Sequence, residues 1–304
     1  MATEIRRLVE EGAARLARIA DEPRREAELL LAAALDRPRA WLLARPEQEV
    51  LDCDATDRFE SHITRRSIGE PIAYILGKKE FWSLALAVTP DVLVPRPETE
   101  LVVERALAHL PDAGSRVHGQ VGVRPSRVLD LATGSGAIGL AIAHERPFCQ
   151  VVGTDISPAA AAIASANARR LGLGNAEFRS GDWYAPVAGE VFDLIASNPP
   201  YVPDDDPRLD WSARVYEPAW ALYAGPTGLE ALARVIAGAG ARLALDGWLV
   251  LEHGLDQADD VRRLLREAGF VEVTTHRDSA AHERCTEGRR PEKGSDLFSA
   301  RPMR

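Results

Sequence analysis

The sequence predicts a two-part α/β protein, in which a small helical module precedes an open, doubly wound parallel sheet. Three observations carry this reading. Residues 1 to about 75 show helical periodicity and almost no strand signal, residues 76–94 turn to short β-prone runs, and from Arg127 onward strand-like and helix-like segments alternate. Such alternation implies parallel strands joined by crossover helices, with ligands sitting beyond the carboxyl ends of the strands.

The elements follow in order. In MATEIRRLVEEGAARLARIA the apolar residues Ile5, Leu8, Val9, Leu16 and Ile19 recur at helical spacing with charges between them, which marks an amphipathic helix of the mature fold and not a signal peptide. EPRREAELLLAAALDRPRAWLLARPEQEV predicts a helix, a break at Asp36-Arg37-Pro38, a short helix and a second break at Pro46. DATDRFESHITRRSIGEP predicts a further helix, stopped by Gly69 and Pro71. The runs AYILG, EFWSLALAV and DVLVP between Tyr74 and Val94 suit a β-hairpin linker, so the expected domains are 1–75, 76–94 and 95–304. Tyr74 and Trp82 in this linker are read as packing residues. PDAGSRVHGQVGVRPSR, residues 111–127, reads as a surface loop. Seven strands are then expected at RVLDLA, CQVVGTDI, AEFRSG, VFDLIASN, GWLVLEHG, VEVTTHRD and DLFSAR, with helices such as AIGLAIAHER and SPAAAAIASANARRLG between them.

Composition narrows the partners. At 304 residues the chain suits one large domain or two ordinary ones, and 46% apolar with 27% charged residues is the balance of a soluble globular protein. No run approaches the ~18 apolar residues of a membrane span. The net charge of −9 makes a strong duplex-binding protein a poor reading, although Arg65-Arg66 and Arg289-Arg290 could form local basic patches. Cys53, Cys149 and Cys285 lie far apart without ligand-pair spacing, which supports neither a metal site nor a disulfide framework and points to a reducing cytoplasm.

The first strand of the sheet runs into ATGSGAIG, where Gly134, Gly136 and Gly139 spell G-x-G-x-x-G and Asp155 follows at the end of the second strand. Taken literally this is a nicotinamide-dinucleotide fingerprint. Asp130 opposes that reading, because a carboxylate aimed into the pocket is unwelcome to a pyrophosphate but suits a cationic ligand such as S-adenosylmethionine. Asp155 would then accept from ribose hydroxyls. After the third strand, SGDWYAP offers Asp182 to the adenine amino group and Trp183 as a face for the ring.

The fourth strand delivers Asn198-Pro199-Pro200-Tyr201 to the same rim. An amide or exocyclic amine nitrogen is a poor nucleophile because its lone pair is delocalised. The Asn198 side-chain oxygen and the Pro199 carbonyl, held outward by the stiff Pro199-Pro200 unit, can grip both N–H bonds of such a group while Tyr201 lies against its plane. Adenine N6, guanine N2 and a carboxamide nitrogen all satisfy this chemistry. A nucleic-acid amino methyltransferase, a nicotinamide oxidoreductase and a non-enzymatic adaptor are the competing readings. His253 is read as a structural histidine and Asp204-Asp205-Asp206 as a solvated loop.

A family resemblance runs through nearly the whole chain. GEPIAYILGKKEFWSLALAVTPDVLVPRPETE (Gly69 to Glu100), DLATGSGAIGLA, GTDIS, SGDWY, SNPPYV, YEPAWALYAGPTGLE, LEHG and HERCTEGR occur in this order. With them the chain resembles the protein-(glutamine-N5) methyltransferases that modify peptide chain release factors. One departure is Ala132, where the family usually has glycine or another small residue. The resemblance implies a Rossmann-like S-adenosylmethionine-dependent methyltransferase domain with a mostly parallel seven-stranded sheet, preceded by a helical-bundle domain that helps grip the release factor. It further implies methyl transfer from S-adenosylmethionine to the glutamine of a Gly-Gly-Gln loop. Carried over by position, Ala132, Thr133, Gly134, Ser135 and Gly136, with Asp155 and Trp183, hold the cofactor. Asn198 to Tyr201 hold the glutamine, Asn198 also facing the cofactor, and Arg96, Glu98 and Thr99 line or close the cofactor pocket. The expected protein is a cytoplasmic monomer with a protein substrate, no stable nucleic-acid binding and no membrane association.

Overall fold

The computed structural model describes residues 3–50, 52–111 and 124–292. Most of the loop expected at 111–127, and the strand expected at DLFSAR, lie outside these residues. The chain divides into two compact units, one of residues 1–78 with 210–216 and one of 79–209 with 217–304.

The first unit contains a short strand pair, β1 (Thr3–Glu4) and β2 (Glu49–Val50), and the helices α1 (Ile5–Leu16), α2 (Pro23–Ala34), α3 (Arg39–Leu43), α4 (Cys53–Ser67) and α5 (Ile72–Leu76). The apolar stripe of α1 packs with Leu30, Leu31, Leu42, Phe59 and Ile63 into a core of its own. Helix α4 starts where the Asp52 side chain accepts from the Ala55 N–H at 3.1 Å, a cap that satisfies one orphan donor of the first turn. The segment Asp210–Tyr216 joins this unit although it follows the expected clamp by only nine residues, and it carries the helix at Trp211–Tyr216. The sequence carries no sign of this excursion, because six residues of amphipathic pattern do not say which core they serve.

The second unit opens with the hairpin β3 (Lys78–Phe81) and β4 (Leu84–Ala87). Trp82 and Ser83 both have positive φ (50° and 59°), the twist that a two-residue hairpin turn requires. Trp82 packs against the core, and its Nε1–H donates to Glu145 at 2.8 Å. Then come α6 (Glu100–Ala108), β5 (Arg127–Leu131), α7 (Ala137–Glu145), β6 (Gln150–Asp155), α8 (Pro158–Leu171), β7 (Ala176–Ser180) and β8 (Phe192–Ser197). After α9 (Trp211–Tyr216) of the first unit, the chain continues with α10 (Ala219–Leu222), α11 (Glu230–Ala239), β9 (Leu243–Glu252), α12 (Ala258–Glu267), β10 (Val271–Arg277) and β11 (Glu283–Arg289).

Among the described residues, seven strands form one sheet in the order β10-β11-β9-β8-β5-β6-β7. The five from β9 to β7 run parallel and β11 pairs antiparallel with both β9 and β10. Among the described residues the seventh strand is β11, Glu283–Arg289, within HERCTEGR. Its buried run Cys285–Glu287 is mixed in polarity, so alternation alone does not reveal it. Alternate residues of the strands feed two cores: Val128, Val151, Leu194 and Val250 face α6 and α7, whereas Leu129, Val152, Ile195 and Leu249 face α11 and α12. The chain order reverses between β5 and β8, the switch point where open α/β sheets leave a crevice for ligand.

Candidate active site

The register of the sheet places the site. Leu131 pairs with Thr154 of β6 and with Ser197 of β8, and Ser197 pairs with Leu251 of β9. The next residue of each strand therefore falls in one row along the carboxyl edge: Asp155, Ala132, Asn198 and Glu252. A cavity of about 280 Å³ opens beside this row, lined by Ala132, Thr133, Gly134, Ser135, Asp155, Trp183, Asn198 and Pro200 among others. Thr99, Asp91 and Leu93 complete it from the chain before α6, and Ile156 and Trp220, 61% and 53% exposed, stand among its lining.

The glycine loop is held by nearby groups. Ala132 has φ +58°, Gly134 +55° and Gly136 +86°, so the loop is a succession of left-handed turns that leads into α7. Asp155 Oδ2 accepts from the Gly134 N–H at 2.9 Å, and Oδ1 accepts from the Ser157 N–H at 2.9 Å. Each oxygen keeps lone-pair capacity toward the cavity. Burial pushes the Asp155 carboxyl above its ordinary value, against the pull of these two N–H groups. Trp183 also has positive φ (46°), a costly conformation for a bulky residue that brings its ring to the cavity.

Three expectations are corrected here. Asp130 does not point into the cavity. It is wholly buried behind the loop, where Oδ2 accepts from the Thr133 hydroxyl at 2.5 Å and the Gly139 N–H at 2.8 Å. Burial pushes it up to about 7. Its place inside β5, two residues before the loop, gives it an inward side chain that braces the turn. Asp182 is exposed, pairs with Arg234, and is not among the lining residues. Tyr201 does not present its ring to the cavity: the ring packs into the core, and its hydroxyl donates to Glu252 Oε1 at 3.0 Å, as a buried phenol needs a partner. Gly136 and Pro199 are buried and are not among the lining residues.

The clamp segment is fixed from remote parts of the chain. Asn198 Nδ2 donates to Thr99 Oγ1 at 3.1 Å, which orients the amide and leaves Oδ1 as the acceptor on its other side. The Tyr201 carbonyl accepts from Gln257 Nε2 at 2.9 Å, and Val202 N donates to the Leu222 carbonyl at 3.0 Å. Glu217, 7% exposed, accepts from the Val94 N–H at 3.3 Å and from Arg96 at 2.5 Å, and so ties the PRPETE segment to the wall of the site. Arg96 is thereby a strut, and Pro95 and Thr99 are the members of that segment that line the cavity. His253 is buried, with Nε2 on Thr286 Oγ1 at 2.8 Å and Nδ1 on the Gly254 carbonyl at 2.9 Å; burial lowers its basicity. It lies outside the cavity lining. In the aspartate run, Asp204 and Asp205 are exposed, whereas Asp206 is half-buried and accepts from the Arg208 N–H at 2.9 Å and its guanidinium.

The arrangement suits S-adenosylmethionine and not a dinucleotide. The lining residues include two carboxylates, Asp91 and Asp155, and no lysine or arginine, so a pyrophosphate would meet only negative charge whereas a sulfonium and an ammonium would be welcomed.

Comparison with known proteins agrees with this geometry. Residues 7–77 match the PrmC N-terminal domain and residues 124–290 a methyltransferase domain. The release factor glutamine methyltransferase of Xylella fastidiosa (strain Temecula1) is 48% identical over 266 residues, covering 88% of this chain and 93% of that protein. The chain belongs to the release factor glutamine methyltransferase family. The member from Escherichia coli (strain K12) is 41% identical over 269 residues, with 88% and 93% of the two chains covered. The fold extends beyond the family. A T. thermophilus 16S rRNA N2 methyltransferase in complex with AdoMet and guanosine superposes with TM-score 0.50 at 21% identity, over 70% of this chain and 49% of that one. The hMettl16 catalytic domain reaches 0.53 at 16% identity, over 77% and 84%.

Glu252, Glu217 and Gln257, which hold the segments around the cavity without lining it, are the supporting residues that reading the sequence missed. Glu252 sits in LEHG and Glu217 in YEPAW, and a buried glutamate looks in sequence like any surface glutamate. The one available signal was position, since Glu252 ends a strand on the rim where ligands bind.

Proposed function

We propose that the chain transfers a methyl group from S-adenosylmethionine to the side-chain amide nitrogen of the glutamine in the Gly-Gly-Gln loop of peptide chain release factors, with Asn198 and the Pro199 carbonyl as the clamp that holds the amide and Tyr201 as the anchor of that segment. The carrying observation is the single row of Asp155, Ala132 and Asn198 along the switch-point edge, opening on an acidic cavity. Asp155, the loop Ala132–Gly136 and Trp183 hold the cofactor. Bound S-adenosylmethionine supplies an electrophilic methyl group on a positively charged sulfur.

The protein's own part is orientation. Thr99 fixes the Asn198 amide so that Oδ1 accepts one N–H of the glutamine, and the Pro199 carbonyl accepts the other. Two acceptors on one planar NH₂ group fix where its nitrogen points and raise the electron density available for attack. No strong base is needed beforehand, because the nitrogen becomes acidic only as the new bond forms. Well-placed reactants can supply roughly 7–11 kcal/mol of barrier reduction. The helical unit grips the release factor, and the enzyme acts as a cytoplasmic monomer that holds no nucleic acid stably.

The test is mass analysis of the Gly-Gly-Gln peptide after purified release factor has been incubated with the enzyme and labelled S-adenosylmethionine. A single added methyl on the glutamine is expected. Label on RNA or DNA, with the peptide unmodified, would overturn the reading in favour of a nucleic-acid amine.

A further inference from the structure

One aromatic side chain at the cavity has no partner within the protein. Trp220 lies on the short helix α10, whose Leu222 is buried. Two residues along a helix rotate the side chain by about 200°, so the anchoring of Leu222 turns Trp220 outward, where it is 53% exposed. Of the six tryptophans in the chain, the other five each have a ring, a guanidinium or a carboxylate as partner. Among the described residues the Trp220 side chain has none of these, yet it lines the cavity together with Asn198 and Pro200. Its helix is also tied to the clamp segment. The Val202 N–H donates to the Leu222 carbonyl and the Ala224 N–H to the Val202 carbonyl, both at 3.0 Å, so that Val202 and Tyr223 form a parallel bridge four residues beyond Asn198. Backbone hydrogen bonds thereby fix the place of the indole relative to the clamp.

We propose, on the footing of the amide clamp described above, that Trp220 is the recognition platform for the acceptor's main chain: its indole face lies flat against the peptide planes of the two glycines that precede the glutamine. The amide nitrogen of a glutamine is roughly 5 Å from its own Cα. An amide gripped by Asn198 therefore leaves the acceptor's main chain at the rim of the cavity, on the side where α10 is bonded to the clamp segment. The cofactor-holding groups Gly134, Asp155 and Trp183 come instead from the ends of β5, β6 and β7. A tryptophan face gives a wide contact at small entropic cost, and covering it contributes strongly to binding. Glycine lets a backbone reach van der Waals contact with such a face, at about 3.5–4.0 Å, because no Cβ holds it off. A methyl group on the glycine that faces the ring lifts the chain and draws the amide away from Asn198. The ring thus makes the two glycines a requirement and separates a Gly-Gly-Gln loop from glutamines that follow larger residues.

The test compares Gly-Gly-Gln, Ala-Gly-Gln and Gly-Ala-Gln peptides on wild type, Trp220→Ala and Trp220→Phe, with S-adenosylmethionine calorimetry on each enzyme. Trp220→Ala should raise KM for the Gly-Gly-Gln peptide about tenfold, with kcat within about threefold and cofactor affinity within about twofold of wild type. Trp220→Phe keeps a flat face and should recover most of that loss. Wild type should prefer Gly-Gly-Gln over the poorer alanine peptide by about a hundredfold in kcat/KM, and Trp220→Ala should shrink the preference to about tenfold or less. That coupling between ring and glycine is absent if the tryptophan is merely structural, and intact cofactor binding shows that the variants are folded. A Trp220→Ala enzyme with wild-type KM, or one that rejects the alanine peptides as sharply as wild type, overturns the proposal. So does a loss confined to S-adenosylmethionine affinity, which makes the ring a cover for the cofactor. All three outcomes leave wild type active on the Gly-Gly-Gln peptide. A wild type that leaves the peptide unmodified and methylates a nucleic-acid amine instead overturns the substrate reading, and the platform falls with it.

Discussion

On the β5–β6 side of the sheet edge, the cofactor loop is held by its sequence neighbours: Thr133 bonds Asp130 three residues away, and Gly134 bonds Asp155 on the adjacent strand. On the β8–β9 side, the clamp is held by groups 51 to 123 residues distant, with Glu252 on Tyr201, Thr99 on Asn198 and Glu217 on the segment that carries Thr99. The first side is made of backbone turns and needs small residues at left-handed φ. The second is made of buried carboxylates, each of which must find its donors through the fold. A ligand common to many enzymes is met by local geometry, and the particular acceptor by a tertiary network.

Substitutions can break this contrast, beginning with the largest effect. Asn198→Ala should reduce kcat by about a hundredfold or more while cofactor affinity stays within about twofold, as expected for a group that orients the acceptor only. Single-turnover rates alongside calorimetry would show it; an equal loss in both would merge the two sides. Asp155→Ala should do the reverse, weakening S-adenosylmethionine binding by about 10- to 100-fold, since it removes a charged acceptor and frees the Gly134 N–H. A change confined to kcat would contradict the division.

Glu217→Ala should destabilise the fold by ~1–3 kcal/mol in denaturant titration and raise KM for the acceptor, because Arg96 can rehydrate but the Val94 N–H loses its acceptor. For Asp130, burial raises the folded value from 3.8 to about 7, so the folded chain keeps a proton that the unfolded chain has released between those values. This group's contribution to stability is therefore present at low pH and is lost as pH rises toward 7, by at most ~1.4 kcal/mol per pH unit. Asp130→Asn should gain stability relative to wild type between pH 5 and pH 8, and a flat difference would show that Asp130 is ionised throughout. The smallest effect belongs to Ala132→Gly. At φ +58° an alanine is strained by about 1 kcal/mol, so glycine should stabilise slightly and leave cofactor affinity unchanged.

Much of this site can be read in advance. The glycines at 134 and 136, the aspartate closing β6 and the Asn-Pro-Pro-Tyr turn are legible because each answers a backbone demand that few residue types meet. Asp182 misled for the opposite reason: a carboxylate after a strand is chemically suitable, but whether it faces the cavity or Arg234 depends on a loop conformation that no pattern encodes. Tyr201 was placed on the correct segment with the wrong orientation, since a tyrosine can show its face or anchor its hydroxyl with the same neighbours in sequence.

The sequence by itself determined the alternation of strand and helix, the acidic balance, the loop that turns left-handed and the stiff Asn-Pro-Pro-Tyr turn at the end of β8, because periodicity, charge and conformational preference are local properties of the chain. The tertiary structure alone decided that Asp130 lies behind the loop, that Glu283–Arg289 enters the sheet between β9 and β10, and that Thr99 bonds Asn198 while Glu252 bonds Tyr201. Those facts depend on strand register and on which buried oxygen finds which donor, and both are settled only when distant segments are brought within a few ångströms of each other.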